Sequence, residues 1–250
     1  MARTSIDRNR RLLSGSSPVP ATRWVVLASV LATVILYLAP FGHVIGYPLL
    51  LLSTVAHELG HLLTAIALGC EPLSLELRSD GSGVAAYRGN VGPIATSLIA
   101  AGGLVGPAFV AALCFICGGP PSRARKLLAS FAVVLLYVVC FVGSSAFGYF
   151  FLPTVALAFV ISACAAGWFC QFVVYLSGTQ LALSVFSRSD YLFTRTVAGN
   201  VGQPSDVEVI AQNLLLPFWF WGVACGAISL AILALGVSQL LHSTPPKKSG

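Results

Sequence analysis

Charge is scarce in this chain. Of its 250 residues, 9% are Asp, Glu, Lys or Arg and 57% are hydrophobic, whereas a soluble domain carries about 25% charged residues. That scarcity excludes an ordinary water-soluble globule and points to a polytopic membrane protein. A concentrated basic patch is missing too. The net charge of +6 is spread over positions flanking apolar runs, which suits anionic lipid headgroups and gives no nucleic-acid footprint. No signal-peptide cleavage site follows the basic "MARTSIDRNRRLLSGSSPVPATR", and the apolar run after it is too long for a signal core. Residues 1–23 are therefore expected to be a tail leading into a first span. Paired cysteines are also lacking. Six of the seven (Cys114, Cys117, Cys140, Cys164, Cys170 and Cys225) lie in apolar runs, so they read as small buried residues, not a disulfide framework. The C-x-x-C of Cys114 and Cys117 has no second pair nearby. No second cluster of intramembrane acids or histidines exists to line a metal-transport path, and no Gly-x-Ser-Gly with a helix-borne histidine points to a serine protease.

What the chain has in abundance is apolar runs. Runs near the roughly 20 residues needed to cross a bilayer fall at 24–42, 47–69, 94–117, 127–145, 147–164, 166–186 and 213–241. The expected fold class is an all-α polytopic membrane protein of six or seven transmembrane helices. A single domain is expected over 24–241, followed by a C-terminal tail at 242–250. If the spans alternate, one side collects 9 of the 14 Lys and Arg, which favours a cytoplasmic N-terminus.

Two connections are longer than the rest. In "CEPLSLELRSDGSGVAAYRGNVGP", Leu73, Leu75 and Leu77 alternate with Ser74, Glu76 and Arg78, and Asp80-Gly81 supplies a turn. This pattern predicts a small β-hairpin over 72–88, after the second helix. The connection 187–212 holds Asp190 and Asp206, with Gly199, Gly202 and Pro204 as breakers. Ser205 or Asp206 is placed to cap a helix running into the last span. Gly102, Gly103 and Gly106 include a G-x-x-x-G spacing that permits close helix approach.

Against this background "TVAHELGHLLTAIALG" puts His57, Glu58 and His61 inside an apolar span. Positions i and i+4 share a helix face, so both imidazoles can meet one ion and supply two of the three protein ligands of a catalytic zinc. Glu58 lies about 100° around the helix from His57, near enough to work on a water without binding the ion. Zinc lowers the pKa of a bound water toward about 7, and Glu58 is the group to take its proton. The competing structural reading is a buried polar cluster that glues helices together, but burying charge in a bilayer is costly and glue needs no fixed spacing.

"HELGH" within a span resembles the site-2-protease-like intramembrane zinc metalloproteases. The resemblance extends over about 47–113, through Gly69 closing the helix, "SDGSGVAAYRG" as the β segment after it and "AAGGLVGPAFVAAL" as a glycine-rich span. It implies a compact prokaryotic-type protease with a Zn²⁺ cofactor and a membrane-protein substrate, placed in a bacterial inner membrane, and it implies an aspartate as third ligand. Asn200, Pro204 and Asp206 are the nearest counterpart of the family's motif, with Val207 where glycine is expected. Asp190 is the rival, and capping alone is the other reading of Asp206. The alternative function is a non-proteolytic scaffold or assembly subunit that keeps the fold. No substrate-selecting accessory domain fits in the chain.

Overall fold

The structure is a computed structural model that describes residues 22–187, 192–196 and 203–242. Eight α-helices and one two-stranded sheet lie in this order: α1 (Thr22–Leu38), α2 (Gly42–Ala67), β1 (Glu71–Leu77), β2 (Gly83–Arg88), α3 (Pro93–Cys117), α4 (Pro121–Tyr137), α5 (Ala146–Cys164), α6 (Gly167–Ser187), α7 (Asp206–Asn213) and α8 (Phe218–His242). A π-turn at Val138–Val142 prolongs α4. Among the described residues six helical stretches are long and apolar enough to cross a membrane, with the 17-residue α1 shorter. The protein is a multi-pass membrane protein. One boundary differs from the pattern-based expectation. The helix capped at Ser205 stops at Asn213, and the last span begins separately at Phe218, because Pro217 cannot continue a helix hydrogen-bond ladder.

The burial pattern is that of a lipid-solvated bundle. On α1, Val25, Ser29 and Thr33 are buried at a four-residue spacing, whereas Leu27, Leu31 and Ile35 are exposed. Small and hydroxyl-bearing side chains face the protein and large apolar ones face outward, as expected where lipid replaces water. The serine and threonine hydroxyls are satisfied within their own helix, Thr33 donating to the Ser29 carbonyl at 3.0 Å. No water is needed for that.

Helix α3 is central, packing on α2, α6, α7 and α8. Its approach to α2 is a backbone contact. A β-carbon on Gly102 would lie 2.8 Å from the Gly60 carbonyl oxygen, and one on Gly106 would lie 2.5 Å from that of Ala56. Only glycine permits this approach.

The hairpin is antiparallel and folds back along α2. Glu71 pairs with Arg88 and Leu77 with Gly83, with an irregularity between Pro72 and Ser74. Gly69, at φ +83°, turns the chain out of α2, and Gly81, at φ +89°, forms the tip. Asp80 accepts hydrogen bonds from the Ser82 hydroxyl (2.6 Å) and amide (2.9 Å). These hold its carboxyl below the usual carboxylate range. Two bonds tie the tip to α2: the Tyr47 hydroxyl donates to the Ser79 carbonyl at 2.7 Å, and Thr54 Oγ1 donates to that of Gly81 at 2.8 Å.

The outer edge of β1 is closed by residues 143–145. The Leu75 amide donates to the Gly143 carbonyl (3.0 Å), and the Leu75 carbonyl accepts from the Ser144 hydroxyl (2.6 Å). The Leu77 amide donates to Ser145 Oγ at 3.1 Å. Since Leu75 spends both backbone groups outside the hairpin, its pair with Ala85 is of the non-hydrogen-bonded kind. The amide and carbonyl of Ala85 therefore face the other edge, toward the cavity described next.

Candidate metal centre

Helix α2 carries His57 and His61 one turn apart, and their rings meet edge to face with centroids 4.7 Å apart. His61 Nδ1 lies 2.8 Å from the Ile99 carbonyl oxygen of α3. A carbonyl only accepts, so Nδ1 carries a proton, and in the neutral ring this leaves the Nε2 lone pair for an ion. Room for the ring comes from Gly103, where a β-carbon would collide with it.

Asp206 reaches this point from the first position of α7. Ser205 is the N-cap, its hydroxyl oxygen accepting from the Glu208 amide at 3.3 Å. The same hydroxyl donates to the Thr194 carbonyl, and the Ser205 amide donates to that of Arg195 at 2.9 Å. With Ser205 acting as the cap, the Asp206 carboxylate projects toward α2. Its Oδ2 is 3.0 Å from His57 Nε2 and 3.4 Å from His61 Nε2, and the two Nε2 atoms are 3.1 Å apart. A tetrahedral zinc with ligands at about 2.0–2.1 Å separates neighbouring donor atoms by about 3.3 Å. Two neutral imidazoles and one carboxylate at this separation fit such an ion, and these three residues form the described cluster of that kind. Asp190, the rival third ligand, and Asn200 lie outside the described residues.

Glu58 is buried beside the cluster, 6% exposed. The Ala85 amide of β2 lies close to its carboxylate. A β-carbon on Gly83 would lie 2.7 Å from Glu58 Cγ and 2.9 Å from Oε1, so this glycine lets the hairpin edge close on the glutamate. His57, Glu58, His61 and Asp206 line one open cavity of about 380 Å³, with Ala85 and Tyr87 of β2 on its wall.

Pattern reading does not find the glycine that admits Glu58 (Gly83), the hydroxyls that pin the tip (Tyr47, Thr54) or the serines that close β1 (Ser144, Ser145), and it takes Gly103 for a helix-packing glycine without its role beside His61. Only the glycines left a signal, as part of the runs "DGSG" and "AGGLVG".

The comparison with protein families agrees with the geometry. The family model described as Peptidase M50B-like matches residues 26–236, nearly the whole bundle. The chain belongs to the Peptidase M50B-like family. The resemblance to site-2 proteases carried by "HELGH" is thus shown across the bundle and not only over its first half. No curated protein and no solved structure matches the chain. Membership in the Peptidase M50B-like family associates the chain with metallopeptidases.

Proposed function

We propose that this chain is a zinc-dependent intramembrane endopeptidase. The observation that carries the reading is the meeting of His57, His61 and Asp206 donor atoms at one point with Glu58 beside them. Zinc held there supplies a Lewis acid that polarises a peptide carbonyl and acidifies water.

The remaining work falls to the chain's own groups. The Glu58 carboxylate takes a proton from the attacking water and delivers it to the nitrogen of the departing strand, so acid and base roles are served by one side chain in turn. Burial of Glu58 leaves the cavity as its route of contact with water. The Ile99 carbonyl fixes the orientation of the His61 ring.

A membrane-spanning substrate hides its amides in helical hydrogen bonds and must unwind locally before it can be cut. Once extended, it needs new partners for those amides. The cavity-facing edge of β2 offers main-chain groups beside Glu58, and strand addition there sets the scissile bond against the metal cluster. The substrate is accordingly a membrane protein with a locally unstable helix.

The test uses the full chain purified in detergent. Zinc is measured directly, and wild type and Glu58→Gln are compared on a panel of single-span membrane proteins. About one zinc per chain in both, with cleavage only by wild type, supports the protease. A wild-type chain that takes up no zinc sinks it and favours the scaffold reading.

A further inference from the structure

A second cavity, of about 290 Å³, lies at the C-terminal end of α3. At 1.5 Å per residue, its wall residue Ile116 is roughly 20 Å along α3 from Gly103 and the metal cluster. Thr22, Arg123 and Tyr175 supply its polar lining, and Phe115, Ile116 and Leu240 much of the apolar part. None of the described residues lining it is acidic.

Tyr175 is the informative member. It is 0% exposed, deep in α6, and its ring is wrapped by the α3–α4 turn, where a β-carbon on Gly118 would lie 2.6 Å from Cε1. Its hydroxyl has no hydrogen-bond partner among the described residues. Buried hydroxyls are normally paired, because an unpaired one forfeits its hydration without return. An acceptor in the cavity would satisfy it.

The charge beside it is positive. Arg123 sits in the first turn of α4, whose N-cap residue Pro120 offers no side-chain cap, so the positive end of the helix dipole adds to the guanidinium. A guanidinium, a phenol and the Thr22 hydroxyl are all donors, and the group that accepts from several donors at once while carrying negative charge is an oxyanion such as phosphate.

We propose that this cavity binds the phosphate group of an anionic phospholipid. Arg123 and Tyr175 hold phosphate oxygens, and Phe115, Ile116 and Leu240 lie along the glycerol and the first acyl carbons. Free phosphate presents the same oxygens but gains nothing from those three apolar side chains, so the lining favours the lipid. The site is independent of the metal centre and does not rest on the protease reading.

Native mass spectrometry of the full detergent-solubilised chain tests this with phosphatidylglycerol, phosphatidylcholine and inorganic phosphate. The expected result is one phosphatidylglycerol retained per chain in preference to phosphatidylcholine. Arg123→Gln and Tyr175→Phe should each weaken retention about tenfold, the loss expected for a hydrogen bond to a charged group. Tyr175→Phe keeps the ring that packs the turn, and a thermal melt checks that the fold survives. Arg125→Gln is the control, since Arg125 donates to the Ala165 carbonyl at 3.0 Å and does not line the cavity. Equal retention of the two lipids overturns the proposal, as does unchanged retention in Tyr175→Phe. A loss in Arg125→Gln matching that in Arg123→Gln reduces it to general surface charge. Displacement of the lipid by millimolar inorganic phosphate overturns the lipid assignment in favour of a free anion.

Discussion

The His61 imidazole occupies the space that a β-carbon on Gly103 would take, its Cδ2 only 2.7 Å from that position. Gly103→Ala must therefore move either the ring or helix α3, and overpacking of this kind costs about 1–3 kcal/mol. The expected outcome is a lower melting temperature together with loss of stoichiometric zinc. Gly46→Ala is the matched control, because nothing lies within 4 Å of its added carbon, and it should stabilise α2 by up to about 1 kcal/mol. If Gly103→Ala binds zinc as the wild type does, this packing does not hold His61.

Asp206→Asn keeps the volume of the side chain and removes its charge. Zinc affinity should fall by more than about 100-fold, beyond what loss of a supporting partner produces, and His57→Ala should do the same. Ser205→Ala removes the cap that aims Asp206, at a cost of about 1 kcal/mol, together with the bond to the Thr194 carbonyl, but no ligand, and should weaken zinc less. Competition with a chromophoric chelator ranks the three. An Asp206→Asn chain with unaltered affinity would leave the third ligand to be sought elsewhere.

Chelation should destabilise the wild type. An ion present at 100 times its dissociation constant contributes about 2.7 kcal/mol to the folded state. Melts with and without chelator should therefore separate for the wild type and coincide for His57→Ala. Coincident wild-type curves would mean that the cluster holds no ion in solution.

Glu58→Gln should retain zinc, since Glu58 is not one of the three converging donors. Its cleavage rate should drop about 10²–10⁴-fold, the usual contribution of a positioned acid–base group. Single-turnover cleavage of a membrane substrate reads this directly. A variant that cleaves at the wild-type rate removes Glu58 from the chemistry.

Ser145→Ala deletes the acceptor of the Leu77 amide but leaves the Leu75 amide on the Gly143 carbonyl. Hydrogen exchange should accelerate about fivefold at Leu77, equivalent to about 1 kcal/mol, and change little at Leu75. Equal acceleration at both would mean that the 143–145 segment opens as a unit.

How much of this was legible in the residues follows from the range of each interaction. The helices and the hairpin are local, set by apolar runs and by the alternation from Leu73 to Leu77, and they appear within a few residues of the expected positions. His57 and His61 share a face through helix periodicity alone, with Glu58 about 100° around the helix from His57, so their relation needed no tertiary knowledge. Asp206 differs. Whether it capped α7 or faced the histidines depended on Ser205, which takes the cap through its own bonds to Thr194 and Glu208. Ser144 and Ser145 meet Leu75 and Leu77 across nearly 70 residues of sequence. No local pattern encodes a bond of that span. Gly103 looked like packing because G-x-x-x-G spacing describes how helices approach and not which side chain fills the gap.

The tip of the hairpin is bonded to α2 at Tyr47 and Thr54, and β1 is bonded to residues 143–145. One wall of the cavity is thus fastened to the very helix that bears the histidines. The facing wall includes Val209 of α7, on the same short helix that delivers Asp206. Where the cavity widens by a shift of α7 while the hairpin's bonds are preserved, Asp206 travels with that helix. Admitting a bulky guest by that movement would draw one of the three donors away from the other two, so a chain that samples such wide states often should also bind zinc more weakly.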